Sequence, residues 1–120
     1  MQIHQSAEDY LESILILKNQ KGAVRSIDIA IYMNYSKPSI SRAVSLLREN
    51  GYILVDKDGF ITLTESGLAV AQKIFERHTV LTRLLVKLGV TEATAAEDAC
   101  KIEHIISDET FAAIKGYLQK

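Results

Sequence analysis

The sequence predicts a mainly α-helical protein that contains one short β-hairpin. Apolar residues recur at helical spacing along most of the 120-residue chain, and the period changes once, directly after Gly51, where two short β-prone runs follow each other. The composition is that of an ordinary globular chain, with 48% hydrophobic residues, 24% charged residues and one proline. A formal net charge of −1 excludes nucleic-acid binding through bulk positive charge but allows a locally basic face.

Three helices are predicted before the change of period. The first covers residues 6–18 with Ser6 as its N-cap, and the second covers residues 26–33. The third covers residues 37–50, with Ser36 as N-cap and a proline in its first turn. Its apolar stripe is the most regular in the chain and consists of Ile40, Ala43, Val44 and Leu47.

The later elements are a hairpin and three further helices. β-prone runs at 52–55 and 60–63 flank a turn, and a long helix is expected over residues 64–88. Thr94 is the predicted N-cap of the next helix, and Ser107 that of the last one. The long helix carries an apolar seam that is either buried or used for dimerisation, formed by Ala71, Ile74, His78, Leu81, Leu85 and Leu88.

Helix, helix, turn, helix and hairpin, in this order, describe a winged helix-turn-helix, whose recognition helix enters the DNA major groove. Residues 37–48 contain three basic residues and no acidic one, so their local field is positive. The alternative interpretation is an ordinary solvated helix face. Because such proteins usually present two reading heads on a dyad, a homodimer on a palindromic operator in double-stranded DNA is expected. The candidate DNA-binding residues are Ser36, Lys37, Pro38, Ser39, Ser41, Arg42 and Lys57.

Three potential metal ligands occur within five positions near the end of the chain. Cys100, Glu103 and His104 would share one face if this segment is helical. Three ligands are too few to close a site, so others must come from elsewhere. The thiol also has another interpretation, since a free cysteine often acts as a small buried hydrophobe.

Three further residues are candidates for the missing ligands. Asp9 and Glu12 form an i, i+3 carboxylate pair on the first helix, and His78 interrupts the apolar seam, where an imidazole needs partners. Each has a structural alternative. Asp9 stands where an acid favours the helix dipole, and His78 is explained equally well as a core histidine with its hydrogen bonds satisfied.

Taken together, these motifs resemble the metal-dependent repressors of the diphtheria toxin repressor family, and most of all its short manganese transport regulators. The resemblance covers nearly the whole chain and is carried by EDYLESI, VRSIDIA, YSKPSISRAVSLL, ITLTESG, ERH and DACKIEHIISDET. It implies a winged helix-turn-helix, a helical dimerisation and metal-binding region, and a divalent metal as co-repressor of metal-uptake genes. The implied ligands are Asp9, Glu12, His78, Cys100, Glu103 and His104.

The chain departs from both branches of that family. The iron-responsive branch resembles it at Cys100 but typically has methionine in place of Asp9, whereas the manganese-responsive branch has the acidic pair but a carboxylate in place of Cys100. Thr82 and Ala96 stand where the iron branch has ancillary ligands, so that site is expected to be incomplete. The SH3-like domain of many iron-responsive members does not follow Lys120, which favours the manganese type or a shortened chain.

The sequence therefore predicts a DNA-binding domain over residues 1–63 and a dimerisation and metal-binding region over residues 64–120. The expected function is repression of transcription in response to Mn²⁺ or Fe²⁺, and no catalytic activity is expected. Zn²⁺ and Co²⁺ are further metals that the site could bind. One cysteine, no signal-peptide pattern and no membrane-spanning run indicate the cytoplasm. The alternatives are a winged-helix regulator with structural zinc or no metal, and a metal-dependent hydrolase.

Overall fold

The computed structural model describes residues 5–120, and this range contains six helices and one two-stranded sheet. The mainly helical prediction with one hairpin is confirmed. None of the helices within this range is long and apolar enough to cross a membrane. The helices are α1 (Gln5–Lys21), α2 (Ser26–Met33), α3 (Lys37–Glu49), α4 (Glu65–Lys87), α5 (Glu92–Ile102) and α6 (Asp108–Leu118). The strands are β1 (Ile53–Val55) and β2 (Ile61–Leu63).

The chain divides into two compact units, which we call the first unit (Met1–Gln72) and the second unit (Lys73–Lys120). The division falls inside α4, whereas the domain boundary expected from the sequence lies at residues 63 and 64 and stays a prediction. The core of the first unit combines side chains from α1, the linker after it, α2, α3, the hairpin and the first part of α4. Its buried members are Leu11, Ile14, Leu17, Val24, Ile29, Ala30, Ile40, Leu47, Ile53, Ile61 and Ala71.

The turn between α2 and α3 lies where the sequence predicts it, since α2 ends at Met33 and α3 begins at Lys37. Asn34 ends α2 in the left-handed conformation (φ 58°), which asparagine adopts more readily than most residues. Ser36 is the N-cap of α3, and its Oγ accepts a hydrogen bond from the Ser39 amide at 3.3 Å. Burial of Ile40 and Leu47 turns the predicted stripe inward, so the opposite face of α3 is presented to solvent.

The hairpin is attached to the linker between α1 and α2. The Ile61 amide donates to the Val24 carbonyl at 2.8 Å, and Arg25 forms an isolated bridge with Phe60. The Arg25 guanidinium also lies 4.3 Å from the centre of the Phe60 ring. The sequence did not predict this pairing between the linker and the hairpin, because it joins residues more than thirty positions apart.

Three predicted helix ends are wrong. Ser6 lies inside α1 (Gln5–Lys21), and α1 continues through residues 19–21 up to Gly22, which adopts the left-handed conformation (φ 84°). Thr94 lies inside α5, whose N-cap is Thr91. The earlier start gains a helical turn while keeping the buried face of Ala95 and Ala99 inward, and local capping preference does not outweigh that gain.

The start of α4 is a tight junction with the chain before β1. Thr64 donates through its amide to the Tyr52 carbonyl at 3.1 Å, and its hydroxyl accepts from the Gly67 amide at 3.2 Å. Gly67 is required here, because an added Cβ would lie 2.0 Å from the Tyr52 carbonyl oxygen. Backbone oxygens cannot retreat as a flexible side chain can, so any larger residue forces the two segments apart.

We expect Gly67→Ala to lower the free energy of unfolding by about 1 to 3 kcal/mol, the usual cost of overpacking. The matched control is Gly116→Ala in α6, where a Cβ meets no atom within 4 Å and alanine is the better helix former. Urea unfolding followed by circular dichroism measures both variants. Equal stability of the two variants would show that the junction with Tyr52 is not tight.

Candidate metal centre and nucleic-acid interface

Three potential ligands meet in the second unit. His78 from α4 places Nδ1 3.0 Å from Glu103 Oε2 and 3.7 Å from Cys100 Sγ. One donor atom from each of the three residues lies within 4.8 Å of the other two. Donor atoms bound to one ion at about 2.0 to 2.3 Å are separated by comparable distances, so the cluster has the size of a metal site.

The segment that carries the last two ligands is only partly helical, which corrects the expectation of three ligands on one helix face. Helix α5 ends at Ile102, and Glu103 is its C-cap, with its amide donating to the Ala99 carbonyl at 2.9 Å. His104 follows in the turn and places Nε2 3.4 Å from Glu103 Oε1. Helix α5 therefore contains Cys100 but ends before the other two ligands.

The electrostatics of the cluster suit a cation. Glu103 has no exposure to solvent, and its Oε1 atom receives no hydrogen bond from any described residue, although His104 Nε2 lies 3.4 Å away. A buried carboxylate oxygen in this state is costly, and a metal ion would compensate it. Thiolate, imidazole and carboxylate are together suitable ligands for a divalent transition metal. Cys100 is exposed, so the cluster is open on that side.

The two remaining predicted ligands belong to the first unit. Asp9 and Glu12 both lie on α1, where Glu12 is 8% exposed and the Asp9 carbonyl accepts from the Ser13 hydroxyl at 2.8 Å. Their participation in the same site stays a prediction.

Thr82 stands where the iron branch has an ancillary ligand. Its hydroxyl donates to the His78 carbonyl at 2.7 Å, so this side chain is bonded to its own helix.

Arg77 is an important residue that the sequence analysis missed. It is 5% exposed, and its Nη1 donates to the Glu103 carbonyl at 3.1 Å and to the Ile106 carbonyl at 2.8 Å. Its Nη2 donates to the Asp108 carboxylate, which also pairs with Lys73 at 3.2 Å. A signal existed, because position 77 falls on the apolar spacing between Ile74 and Leu81.

The exposed face of α3 carries the predicted DNA-reading residues. Ser41 and Arg42 are exposed, while Ser39 is half-buried and its hydroxyl accepts from Ser36 at 2.9 Å. Lys37 is exposed at the first turn of the helix, beside Pro38. That these side chains contact DNA stays a prediction.

Lys57 is exposed at the tip of the hairpin. The neighbouring Asp56 carboxylate accepts from the amides of Asp58 and Phe60, each at 2.9 Å. One of the two acids beside Lys57 is therefore used to shape the turn.

A winged helix-turn-helix followed by a helical unit with a thiol, imidazole and carboxylate cluster defines a class of metal-responsive DNA-binding regulators. Residues 2–60 match the N-terminal DNA-binding domain of the iron-dependent repressors, and residues 64–120 match the metal-binding and dimerisation domain of the same family. The chain belongs to this family, whose members are transcriptional regulators rather than enzymes.

Individual relatives agree with this assignment. An uncharacterised HTH-type transcriptional regulator of Methanocaldococcus jannaschii is 36% identical, and the match covers 97% of this chain and 94% of the relative. The transcriptional regulator MntR of Escherichia coli is 33% identical over 94% of this chain and 73% of its own. The solved structure of the manganese regulator SloR matches with a TM-score of 0.82 and 28% identity over 99% of this chain. This chain spans 55% of the SloR chain.

Acid should weaken the contact between Arg77 and α6. Lys73, and then Arg77, hold the pKa of the Asp108 carboxyl below its usual value of 3.8. A lowered pKa in the folded state means that the carboxylate stabilises the fold above the unfolded pKa, and that this contribution is lost as pH falls through the folded pKa. Asp108→Asn should therefore be less stable than the wild type at pH 7, with a smaller difference near about pH 3.

Urea midpoints at the two pH values measure this effect. Glu109→Gln is the matched control, since Glu109 is the next acid of α6 and no described residue forms an ion pair with it. A stability difference for Asp108→Asn that is the same at both pH values would contradict the ion-pair explanation.

Proposed function

We propose that this chain is a cytoplasmic repressor that controls genes for metal uptake. It binds a palindromic operator as a homodimer when a divalent metal, Mn²⁺ or Fe²⁺, is present. The observation that carries the proposal is the clustering of His78, Cys100 and Glu103 in a chain that also has a winged helix-turn-helix. Family membership supports the same function.

The proposed ligand set joins the two units. His78, Cys100, Glu103 and His104 would hold the ion in the second unit, and Asp9 and Glu12 would reach it from α1. When bound, the ion supplies positive charge that offsets the repulsion between these carboxylates. Without that charge the acidic groups of the two units disfavour convergence. Metal shifts the population toward the DNA-binding arrangement only as far as its affinity for the two arrangements differs.

The thiol should broaden the metal preference. Carboxylates and imidazoles alone form an oxygen-rich site that suits Mn²⁺, whereas the Cys100 thiolate favours Fe²⁺, Co²⁺ or Zn²⁺. Cys100 lies close enough to His78 to share an ion with it. We therefore propose a regulator less selective than one with a carboxylate at position 100.

The dimer surface should come from the second unit. Of the apolar seam residues, Leu81 in α4 is 3% exposed within one chain and Leu88, directly after α4, is 70% exposed, so the region where α4 ends is the more available part. In α6, Phe111 and Ile114 are half-buried and Tyr117 is 61% exposed. Large exposed apolar side chains at the ends of α4 and α6 are suited to a second copy of the chain.

The proposal predicts metal-dependent DNA binding. In a mobility-shift assay on a palindromic promoter fragment, Mn²⁺ and Fe²⁺ should both produce a shifted complex, and a chelator should abolish it. Cys100→Glu should narrow the response toward Mn²⁺, and Cys100→Ala should weaken every metal because one ligand is lost.

The contrary outcomes are distinct. Operator binding that is unchanged by the chelator would indicate a winged-helix regulator with structural metal or none. Hydrolysis of simple esters or phosphates that Glu103→Gln abolishes would indicate a metal-dependent hydrolase. If Cys100→Ala responds to every metal like the wild type, the thiol only fills space.

The recognition helix α3 gives a second prediction. Arg42→Ala and Ser39→Ala should each weaken specific DNA binding by roughly 1 to 3 kcal/mol if the side chains contact base edges, and neither should change metal binding. Arg83→Ala, which removes an exposed arginine of the second unit, is the control. An equal loss on operator and random DNA would make Arg42 a phosphate contact, and no loss from either variant would reject α3 as the recognition helix.

A further inference from the structure

We propose that Arg77 is a positioning residue that fixes Glu103 for metal binding; this inference rests on the proposed function. Two successive residues of α4 hold Glu103 at different atoms. Arg77 donates through Nη1 to the Glu103 backbone carbonyl at 3.1 Å, while Nδ1 of His78 lies 3.0 Å from the Glu103 carboxylate. The hydrogen bond to the Glu103 backbone and the contact with its side chain together determine the direction of the carboxylate.

One guanidinium also spans the whole turn that follows α5. Besides the Glu103 carbonyl, Arg77 binds the Ile106 carbonyl at 2.8 Å and the carboxylate of Asp108, the first residue of α6. Carbonyls at the end of a helix need partners, and here a buried side chain supplies them instead of water. The turn therefore cannot change shape without breaking bonds to Arg77.

The geometry requires arginine rather than any cation. The Arg77 side chain is 6% exposed, so its charge depends on the carbonyl dipoles and on Asp108 for compensation. A lysine is a point charge with no planar fork, and it cannot reproduce bonds to the three acceptors. Residues that orient metal ligands typically change metal affinity by roughly 10- to 100-fold when they are replaced.

A Co²⁺ titration of the full chain tests the inference. The readouts are the dissociation constant, the visible spectrum with its thiolate charge-transfer band, and the melting temperature without metal. Arg77→Lys should weaken Co²⁺ roughly 10- to 100-fold and change the spectrum, because Glu103 is no longer held in place. Asp108→Asn should change the Co²⁺ dissociation constant and the spectrum in the same direction as Arg77→Lys, but by less. Arg83→Lys, at an exposed position of α4, should change neither.

The outcomes separate this inference from the proposed function. A wild-type chain that binds no Co²⁺ would overturn the metal site itself, and with it the role of Arg77. If the wild type binds and Arg77→Lys binds with the same affinity and spectrum while melting lower, Arg77 stabilises the fold only and the inference is wrong. Should Arg77→Lys fail to fold, the same comparison is made with Asp108→Asn, whose exposed side chain can be changed without leaving a cavity.

Discussion

The buried carboxylate of Glu103 sets the arrangement of the second unit. A carboxylate that is withdrawn completely from water costs several kcal/mol unless hydrogen bonds or opposite charge compensate it. His78 contacts one oxygen, the other oxygen has no hydrogen bond from a described residue, and the backbone of the same residue is bonded to Arg77. A cation bound among Glu103, the thiol and the imidazole would compensate this carboxylate, as the proposed function requires.

The first unit depends on a different constraint, the fixed presentation of α3. The stripe of Ile40 and Leu47 attaches the helix to the core, and Ser36 ends the preceding turn with a capping hydrogen bond. Arg25 and Val24 hold the hairpin against the linker. A rigid scaffold of this kind is what allows a few exposed side chains to meet DNA in one orientation.

Helix α4 needs a very small residue near its start and large side chains near its middle. At its start Gly67 is needed because the Tyr52 carbonyl leaves no room for a Cβ. Near its middle the large side chains of Arg77 and His78 are needed because they reach the turn after α5. One continuous helix thus carries a junction in the first unit and two contacts to Glu103 in the second.

Local pattern by itself determined the helices, the hairpin and the caps at Ser36 and Ser107, because these features depend on neighbours a few residues away. The local pattern predicted Thr94 instead of Thr91 as the N-cap of α5, because two similar capping signals compete there and only the observed start adds a further helical turn. The sequence motifs also indicated His78, Cys100, Glu103 and His104, and the second unit does place these side chains close together.

Only the tertiary structure decided how that cluster is held. Arg77 had no visible partner in the sequence, because its acceptors at Glu103, Ile106 and Asp108 lie 26 to 31 positions further along the chain. The turn that carries Glu103 likewise replaced the continuous helix that the ligand spacing suggested. Periodicity shows which side chains are buried, but the partner of a buried charge depends on how distant segments pack.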